Sequence, residues 1–167
     1  MVLKLLPEND PMLFQVMEEF DFSNPPVDPE KLALDLIDTM RAKQGIGLSA
    51  NQAGLPYRVF VMEGDPAWVC FNPKVIDVSN EEIYLQEGCL SYPDLWVKIK
   101  RPAKVRVRFA TPSGAITTKV FDEWHARCFL HELDHLNGLP FYKSANIINL
   151  EAGRKLRTKI TRSKKKK

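Results

Sequence analysis

The chain has few cysteines and no long apolar run, and each shortage excludes a class of protein. Three cysteines among 167 residues cannot all pair with one another and are too few for a secreted fold stabilised by disulfides. No apolar run in the sequence approaches the roughly 20 residues of a membrane-spanning helix. Pro7 interrupts the first apolar residues too early for a secretory signal. We therefore expect a cytoplasmic protein with no membrane partner and at least one free thiol.

Charge is unevenly distributed along the chain, although the net charge is only +3. Residues 151–167 contain nine Lys or Arg and one acid, whereas residues 1–150 contain 15 basic and 20 acidic residues. A mildly acidic body with a strongly basic end is typical of a globular domain with a solvated or polyanion-binding tail. We expect a single domain over residues 1–167, with a basic C-terminal helix or tail over residues 151–167.

Helical patterns occur near both ends of the chain. Residues 11–20 form a short amphipathic pattern that predicts one small helix. A second helix is predicted to begin after Asp28, an N-cap residue, with Pro29 in its first turn, and to end at Gly45. Two further helices are predicted over residues 123–137 and 149–162.

The middle of the chain has the short alternating runs of an antiparallel sheet. Apolar and charged residues alternate most clearly over residues 105–109, and the sequence T-P-S-G at 111–114 predicts a hairpin turn. Helices on either side of such strands predict an α+β fold. The predicted strands cover residues 58–62, 68–71, 74–78, 82–85, 95–99, 104–109 and 115–121.

The predicted helix over residues 123–137 contains the sequence H-E-L-D-H at residues 131–135. Histidines four positions apart lie on one helix face about a turn from each other, where both can bind one metal ion. Glu132 follows the first histidine and can move a proton from a metal-activated water to a leaving group. The chain has three histidines, and the remaining one, His125, is assigned a structural role.

A catalytic site of this kind needs a third protein ligand. Downstream of the motif the chain has no further histidine, and Glu151 is the only acid. Upstream, Cys89 follows a strand-like run, and Gly88 before it permits a close backbone approach. A Cys-His-His site would suit iron(II), zinc, nickel or cobalt. Cys70 and Cys128 are expected to be buried thiols, although Cys128 is near enough in sequence to lie beside the site.

Three blocks of sequence resemble the motifs of the peptide deformylase family. Residues 45–52 read G-I-G-L-S-A-N-Q, similar to G-x-G-L-x-A-x-Q, and residues 87–91 read E-G-C-L-S. Residues 131–138 read H-E-L-D-H-L-N-G, similar to H-E-x-D-H-L-x-G. The resemblance spans most of the chain and implies the family's α+β fold. In that fold antiparallel β-sheets pack around a central helix that carries the HExxH motif, with N-terminal helices and a C-terminal basic helix.

The resemblance implies a metal-dependent hydrolase that removes the formyl group from the N-terminal formyl-methionine of nascent polypeptides. A metal-bound hydroxide would attack the formyl carbon, with Glu132 as general acid and base. The oxyanion would be stabilised by the side-chain amide of Gln52 and the backbone N–H of Leu90. One divalent ion, iron(II) in the native form and zinc, nickel or cobalt in substituted forms, would be held by Cys89, His131 and His135.

The same resemblance implies where a peptide binds. Gly45 and Gly47 permit an extended backbone, beside which a substrate could add as a strand. Glu87 is expected near the mouth of an apolar pocket for the methionine side chain. The residues expected to bind substrate are Ile46, Gly47, Glu87 and Gly88. The pocket itself is expected to be lined by Ile46, Leu85, Trp124 and Cys128.

Two residues depart from the usual family pattern. Ser49 stands where Ala is common, a small-for-small change that is expected to have no effect. Leu130 replaces a frequent Gln and alters the surroundings of the metal ligands.

In bacterial relatives a C-terminal helix docks on the ribosome, and the basic residues 151–167 predict the same partner for this chain. The ribosomal RNA phosphates would make such binding sensitive to salt. A solubilising charge run is the alternative, and nothing in the sequence requires more than a monomer.

Three other functions fit part of the sequence. An H-E-x-x-H endopeptidase has the same metal chemistry but needs a different third ligand and a long substrate cleft. A metal-stabilised binding module has no use for Glu132 or Gln52. A thiol hydrolase with Cys89 as nucleophile would need no metal.

Overall fold

The structure, a computed structural model, describes residues 1–166, which form three α-helices and seven β-strands. The helices are α1 (Pro29–Ala42), α2 (Glu123–Leu136) and α3 (Ile147–Lys164). The strands are β1 (Gly47–Ser49), β2 (Val59–Met62), β3 (Trp68–Val78), β4 (Glu82–Cys89), β5 (Tyr92–Pro102), β6 (Lys104–Ala110) and β7 (Ile116–Asp122). Single turns of 3-10 helix occur at Pro11–Phe14, Ala50–Ala53 and Phe141–Ser144. Lys167, the last residue of the predicted basic tail, lies outside the described residues.

The strands form two antiparallel sheets. Five strands follow the order β1-β2-β3-β6-β7, and β4 and β5 form a separate hairpin. Over residues 1–166, β1 and β4 each pair along one side only, so each leaves one edge free. Two antiparallel sheets together with helices confirm the predicted α+β class.

Helix α2 lies against both sheets. Phe129 and Leu136 on its apolar face are fully buried and pack with Phe60, Met62 and Val107 of the five-stranded sheet. Burying each side chain of this size stabilises the fold by about 1.5–3 kcal/mol. The helix also contacts β1 and β5. Side chains on α2 can therefore meet groups from both sheets.

The other two helices cover the outside of the sheets. Leu36 and Met40 of α1 are fully buried against Leu48, Val61 and Phe71.

Helix α3 packs on β5. A Cβ atom on Gly153 would lie 2.6 Å from the carbonyl oxygen of Trp96, so glycine allows this close approach. None of the helices formed by residues 1–166 has both the length and the apolar character needed to cross a membrane.

The two ends of α1 can be compared with those predicted from Asp28 and Gly45. The Asp28 side chain accepts hydrogen bonds from the backbone N–H groups of Glu30 and Lys31, which confirms the predicted N-cap. The predicted end is wrong: the helix stops at Ala42, and Gln44 rather than Gly45 has a left-handed conformation, with φ 57°. The N–H of Gly45 still bonds to the carbonyl of Met40, so the terminal turn closes without a left-handed glycine.

One other local prediction is wrong, and two predicted strands are confirmed as parts of one longer strand. The helix predicted over residues 11–20 is one 3-10 turn, Pro11–Phe14, after which Val16 forms an isolated bridge with Asn137. The runs 68–71 and 74–78 belong to one strand, β3, whose register shifts near Asn72. In both places a tertiary pairing overrides the local pattern. The helices predicted over residues 123–137 and 149–162 are confirmed as α2 and α3, within a few residues at each end.

Candidate metal centre

Three potential metal ligands converge between β4 and α2. Cys89 is the last residue of β4, and His131 and His135 lie one turn apart on α2. Their ligand atoms are all within 4.8 Å of one another, and Sγ of Cys89 is 3.2 Å from Nε2 of His135. Tetrahedral coordination with bonds of about 2.0–2.3 Å would separate ligand atoms by about 3.5 Å. The donor set and its spacing therefore fit one metal ion.

The hairpin presents two side chains to this helix. Residues two apart on a strand share a face, and Glu87 and Cys89 contact His131 and His135 respectively. Gly88 faces the other way. A Cβ atom on Gly88 would lie 2.7 Å from the ring of Trp96, so only glycine permits this packing.

Glu87 lines the cavity described below, but its side chain is held in a buried network rather than exposed at the mouth of the cavity. Its side chain is 5% exposed, and its Oε1 lies 2.9 Å from Nδ1 of His131. Arg101 donates to both carboxylate oxygens, at 2.6 and 3.0 Å, and Arg127 donates to Oε2 at 2.6 Å. Because Glu87 occupies Nδ1, it orients the ring of His131 and leaves Nε2 for a metal.

Neighbouring charges and burial shift the pKa values of Glu87 and of both histidines. Burial alone would raise the pKa of Glu87, but hydrogen bonds and positive charge from His131 and Arg101 lower it to about 2. Burial would lower the pKa of His131, yet hydrogen bonds with Cys89 and Glu87 raise it to about 10. Burial and the charges of His131 and Arg101 lower the pKa of His135, so its imidazole stays neutral with a free lone pair.

We expect Glu87→Gln to weaken both the fold and the metal site. The change leaves the buried Arg127 without a carboxylate and Arg101 with only Asp134, and removing one partner of a buried ion pair costs about 3–5 kcal/mol. Loss of the group that orients a ligating histidine lowers metal affinity by roughly 10- to 100-fold. Denaturant unfolding and metal titration measure the two effects. Glu63→Gln, which breaks an exposed pair with Arg41, is the control and should cost under about 1 kcal/mol; equal losses in both variants would contradict the role of Glu87.

Glu132 lies beside the ligands with its carboxylate buried. The side chain is 4% exposed, and burial raises the pKa of its carboxyl group. Oε2 lies 2.7 Å from Oγ of Ser49, so the residue expected to have no effect contacts the candidate general base. A Cβ atom on Gly47 would lie only 2.5 Å from Oε1, so this glycine makes room for the carboxylate.

Gln52 reaches the ligand group from the 3-10 turn after β1. Its Oε1 accepts from the backbone N–H of Ser49 at 2.8 Å, which fixes the orientation of the amide. Its Nε2 donates to Oγ of Ser91 at 2.9 Å and lies 3.5 Å from Sγ of Cys89. Leu90 follows Cys89 in the hairpin turn. The structure thus places an amide donor beside the ligands.

A cavity of about 450 Å³ opens beside the metal ligands. All of the residues predicted to bind substrate line it, as do Leu85, Trp124 and Cys128. Sequence reasoning missed four lining residues, Gln44, Gln86, Trp96 and Arg127. Arg127 lies four residues before His131 on α2, so helical spacing could have identified it. Trp96 is brought to the cavity by the pairing of β4 with β5, which no local pattern reveals.

Two further side chains that the sequence analysis singled out, those of His125 and Leu130, lie outside the ligand group. His125 stacks between Trp124 and Phe121 and is not part of the ligand group. Leu130 of α2 packs against the apolar core, so its position has no side-chain hydrogen-bond donor.

Comparisons with known proteins agree with this geometry. The family model for polypeptide deformylase matches residues 2–150. A peptide deformylase from Bartonella henselae is 36% identical over 138 residues, which cover 79% of this chain and 77% of the relative. Similar solved structures include a peptide deformylase from Synechococcus elongatus in complex with actinonin, with TM-score 0.84 and 30% identity, covering 93% of this chain and 86% of that one.

A second solved structure is the Met-Ala-Ser-bound class I type b peptide deformylase from Acinetobacter baumannii. It has TM-score 0.81 and 28% identity, and the match covers 86% of this chain and 98% of that one. The family match extends over most of the chain and includes all three motif blocks. This chain belongs to the polypeptide deformylase family.

Proposed function

We propose that this protein removes the formyl group from the N-terminal formyl-methionine of nascent polypeptides and releases formate. One observation carries the proposal: Cys89, His131 and His135 converge at one end of a cavity beside a buried carboxylate, Glu132, and an oriented amide, Gln52. Metal ligands alone would suit a binding protein, whereas a proton carrier and an oxyanion donor are needed only for hydrolysis.

The substrate peptide lies in the cavity between the free edges of β1 and β4. Backbone groups at Ile46, Gly47 and Gly88 are placed along these edges, where an extended peptide can pair as an added strand. The methionine side chain enters the part of the cavity lined by Leu85, Trp124 and Cys128. The Met-Ala-Ser peptide bound by the Acinetobacter baumannii relative supports a peptide as the ligand.

The chain's own residues supply proton transfer and charge stabilisation. A divalent ion held by the three ligands activates a water and polarises the formyl oxygen when it is bound. Glu132 accepts a proton from the attacking water and delivers it to the amine of the departing methionine. The Nε2 group of Gln52 and the N–H of Leu90 donate to the formyl oxygen as it becomes negatively charged. The buried surroundings of Glu132 limit competing contact with solvent.

We assign iron(II) as the native metal, with zinc, nickel or cobalt able to replace it. One thiolate and two imidazoles make a donor set that suits all four ions, and helix α2 is the central element that carries two of them. Elemental analysis of protein purified without oxygen tests the assignment. A preparation that contained only zinc, at full occupancy, would contradict the assignment of iron(II) as the native metal.

An assay on a formyl-Met-Ala-Ser peptide tests the function itself. We expect the protein, purified without oxygen, to release formate, and the same peptide with an acetyl group to be cleaved far more slowly, because the larger group crowds the reacting carbon. Folded, metal-loaded protein that released no formate would overturn the proposal. Cleavage of internal peptide bonds would instead favour the endopeptidase.

Gly47→Ala tests how closely the carboxylate of Glu132 must be held. The new methyl group would lie 2.5 Å from Oε1 and 2.7 Å from Sγ of Cys128, so the carboxylate must move. We expect kcat to fall by roughly 10- to 30-fold, because a displacement of about 1 Å costs up to 100-fold, while metal content stays unchanged. Steady-state kinetics and elemental analysis measure both, and an unchanged kcat would contradict the placement of Glu132.

We also propose one catalytic domain over residues 1–167 that acts in the cytoplasm as a monomer and docks on the ribosome. The ligand group and the cavity are formed within one chain. Helix α3 exposes Arg154, Lys155, Lys159 and Arg162, which suit the phosphates of ribosomal RNA. Removal of residues 151–167 should weaken co-sedimentation with ribosomes at low salt, whereas unchanged co-sedimentation would leave the tail as a solubilising charge run.

A further inference from the structure

Ser49 connects the two polar groups that the proposed reaction requires. It is the last residue of β1 and is fully buried. Its Oγ lies 2.7 Å from Oε2 of Glu132 and 3.0 Å from the main-chain oxygen of the same residue. Its backbone N–H donates to Oε1 of Gln52 at 2.8 Å. Ser49 therefore contacts the proton carrier, Glu132, through its hydroxyl group, and the oxyanion donor, Gln52, through its backbone N–H.

The carboxylate of Glu132 has few other restraints. Among residues 1–166, Ser49 is the only hydrogen-bond partner of its side chain. On the side of the other oxygen Gly47 leaves space, because a Cβ atom there would lie 2.5 Å from Oε1. A glutamate side chain has three rotatable bonds, so without a partner it can occupy several rotamers.

We propose that Ser49 is a positioning residue that holds the carboxylate of Glu132 at a fixed position relative to the amide of Gln52. This inference rests on the proposed deformylase function, in which both groups act on the same formyl group. The hydroxyl of Ser49 acts through Glu132 and does not itself touch the substrate.

A hydroxyl group suits this position because it both donates and accepts. Ser49 donates to Oε2 while the carboxylate is ionised. When Glu132 carries the proton, its O–H donates to Oγ, and the Ser49 hydrogen turns to the main-chain oxygen of Glu132, which lies 3.0 Å away. The carboxyl group therefore keeps a partner at both stages of the proton transfer. An alanine would leave it without one.

The variant Ser49→Ala tests whether the hydroxyl group of Ser49 positions Glu132 for catalysis. We expect kcat for the formyl-Met peptide to fall about tenfold, which corresponds to about 1.4 kcal/mol of transition-state stabilisation, with KM and metal content unchanged. Ser49→Thr keeps the hydroxyl and should recover most of the kcat. Thr39→Val is the matched control, because Thr39 is also fully buried, and its hydroxyl bonds to Leu3 and Asp35, away from the cavity. That variant should lower the melting temperature without lowering kcat.

A double-mutant cycle separates positioning from general stability. If Ser49 acts through Glu132, Ser49→Ala should cost nothing further in a Glu132→Ala background. An equal tenfold loss in that background, or an unchanged kcat in the single variant while the wild type releases formate, would overturn the inference and leave the deformylase function standing. Absence of formate release from folded, metal-loaded wild type would overturn both.

Discussion

Replacement of Glu132 by Gln is expected to lower kcat for formyl-Met peptides by about 10³-fold. The amide has nearly the same shape and can keep a contact with Ser49, but it cannot accept a proton from the attacking water. General acid–base groups contribute roughly 10²–10⁴-fold to hydrolysis, and in the proposed reaction the same residue serves both proton transfers. Because the change leaves all three metal ligands in place, metal content and KM should stay close to those of the wild type. Formate release and elemental analysis on the same preparations measure these quantities.

The matched control lies on the same helix. Glu123 is the first residue of α2 and is exposed, so Glu123→Gln changes charge by the same amount without touching the cavity. We expect its kcat to stay within a factor of two of the wild type. If Glu132→Gln retained more than a tenth of the wild-type kcat, another group would have to carry the proton, and the assignment of Glu132 would be wrong.

The parts of the structure that sequence reasoning predicts well are those fixed by local spacing. Histidines four residues apart on a helix meet on one face, and Asp28 with Pro29 starts α1. Cys89 could be selected because few other ligands were available downstream. The helix inferences need only the geometry of a single element, and the choice of Cys89 needs only the list of available ligands.

The roles of Glu87 and Ser49 show why the rest could not be predicted. Glu87 belongs to a motif that suggested a substrate contact, but its partners Arg101 and Arg127 come from β5 and α2, and only the folded chain brings them together. Ser49 lies 83 residues from Glu132 in sequence. Pairings at this separation depend on how two sheets pack around one helix, which no periodicity in the chain encodes.

The contact between Cys89 and His135 is compatible with two kinds of chemistry. A sulfur 3.2 Å from an imidazole nitrogen is the spacing of a thiol nucleophile and its base as well as that of two ligands of one metal. His131 favours the metal, because a thiol hydrolase has no need for a second imidazole near the same sulfur, held in place by Glu87. Removal of the metal separates the two mechanisms: chelation should abolish formate release, and a stoichiometric divalent ion should restore it.

Cys89→Ala should remove the metal and, with it, the activity. Loss of one of three protein ligands is expected to weaken metal binding by about 10³-fold, a quarter or so of the roughly 10–16 kcal/mol that four ligands provide in structural zinc sites. Cys70→Ala is the matched control, because Cys70 is a fully buried thiol in the core; it should lower the melting temperature and keep the metal. An endopeptidase with its third ligand elsewhere would keep its metal in Cys89→Ala, and a thiol hydrolase would contain none before the change. Elemental analysis of the wild type and both variants therefore distinguishes the three enzymes. Only an enzyme with a Cys-His-His centre contains a metal ion that is lost when Cys89 is replaced.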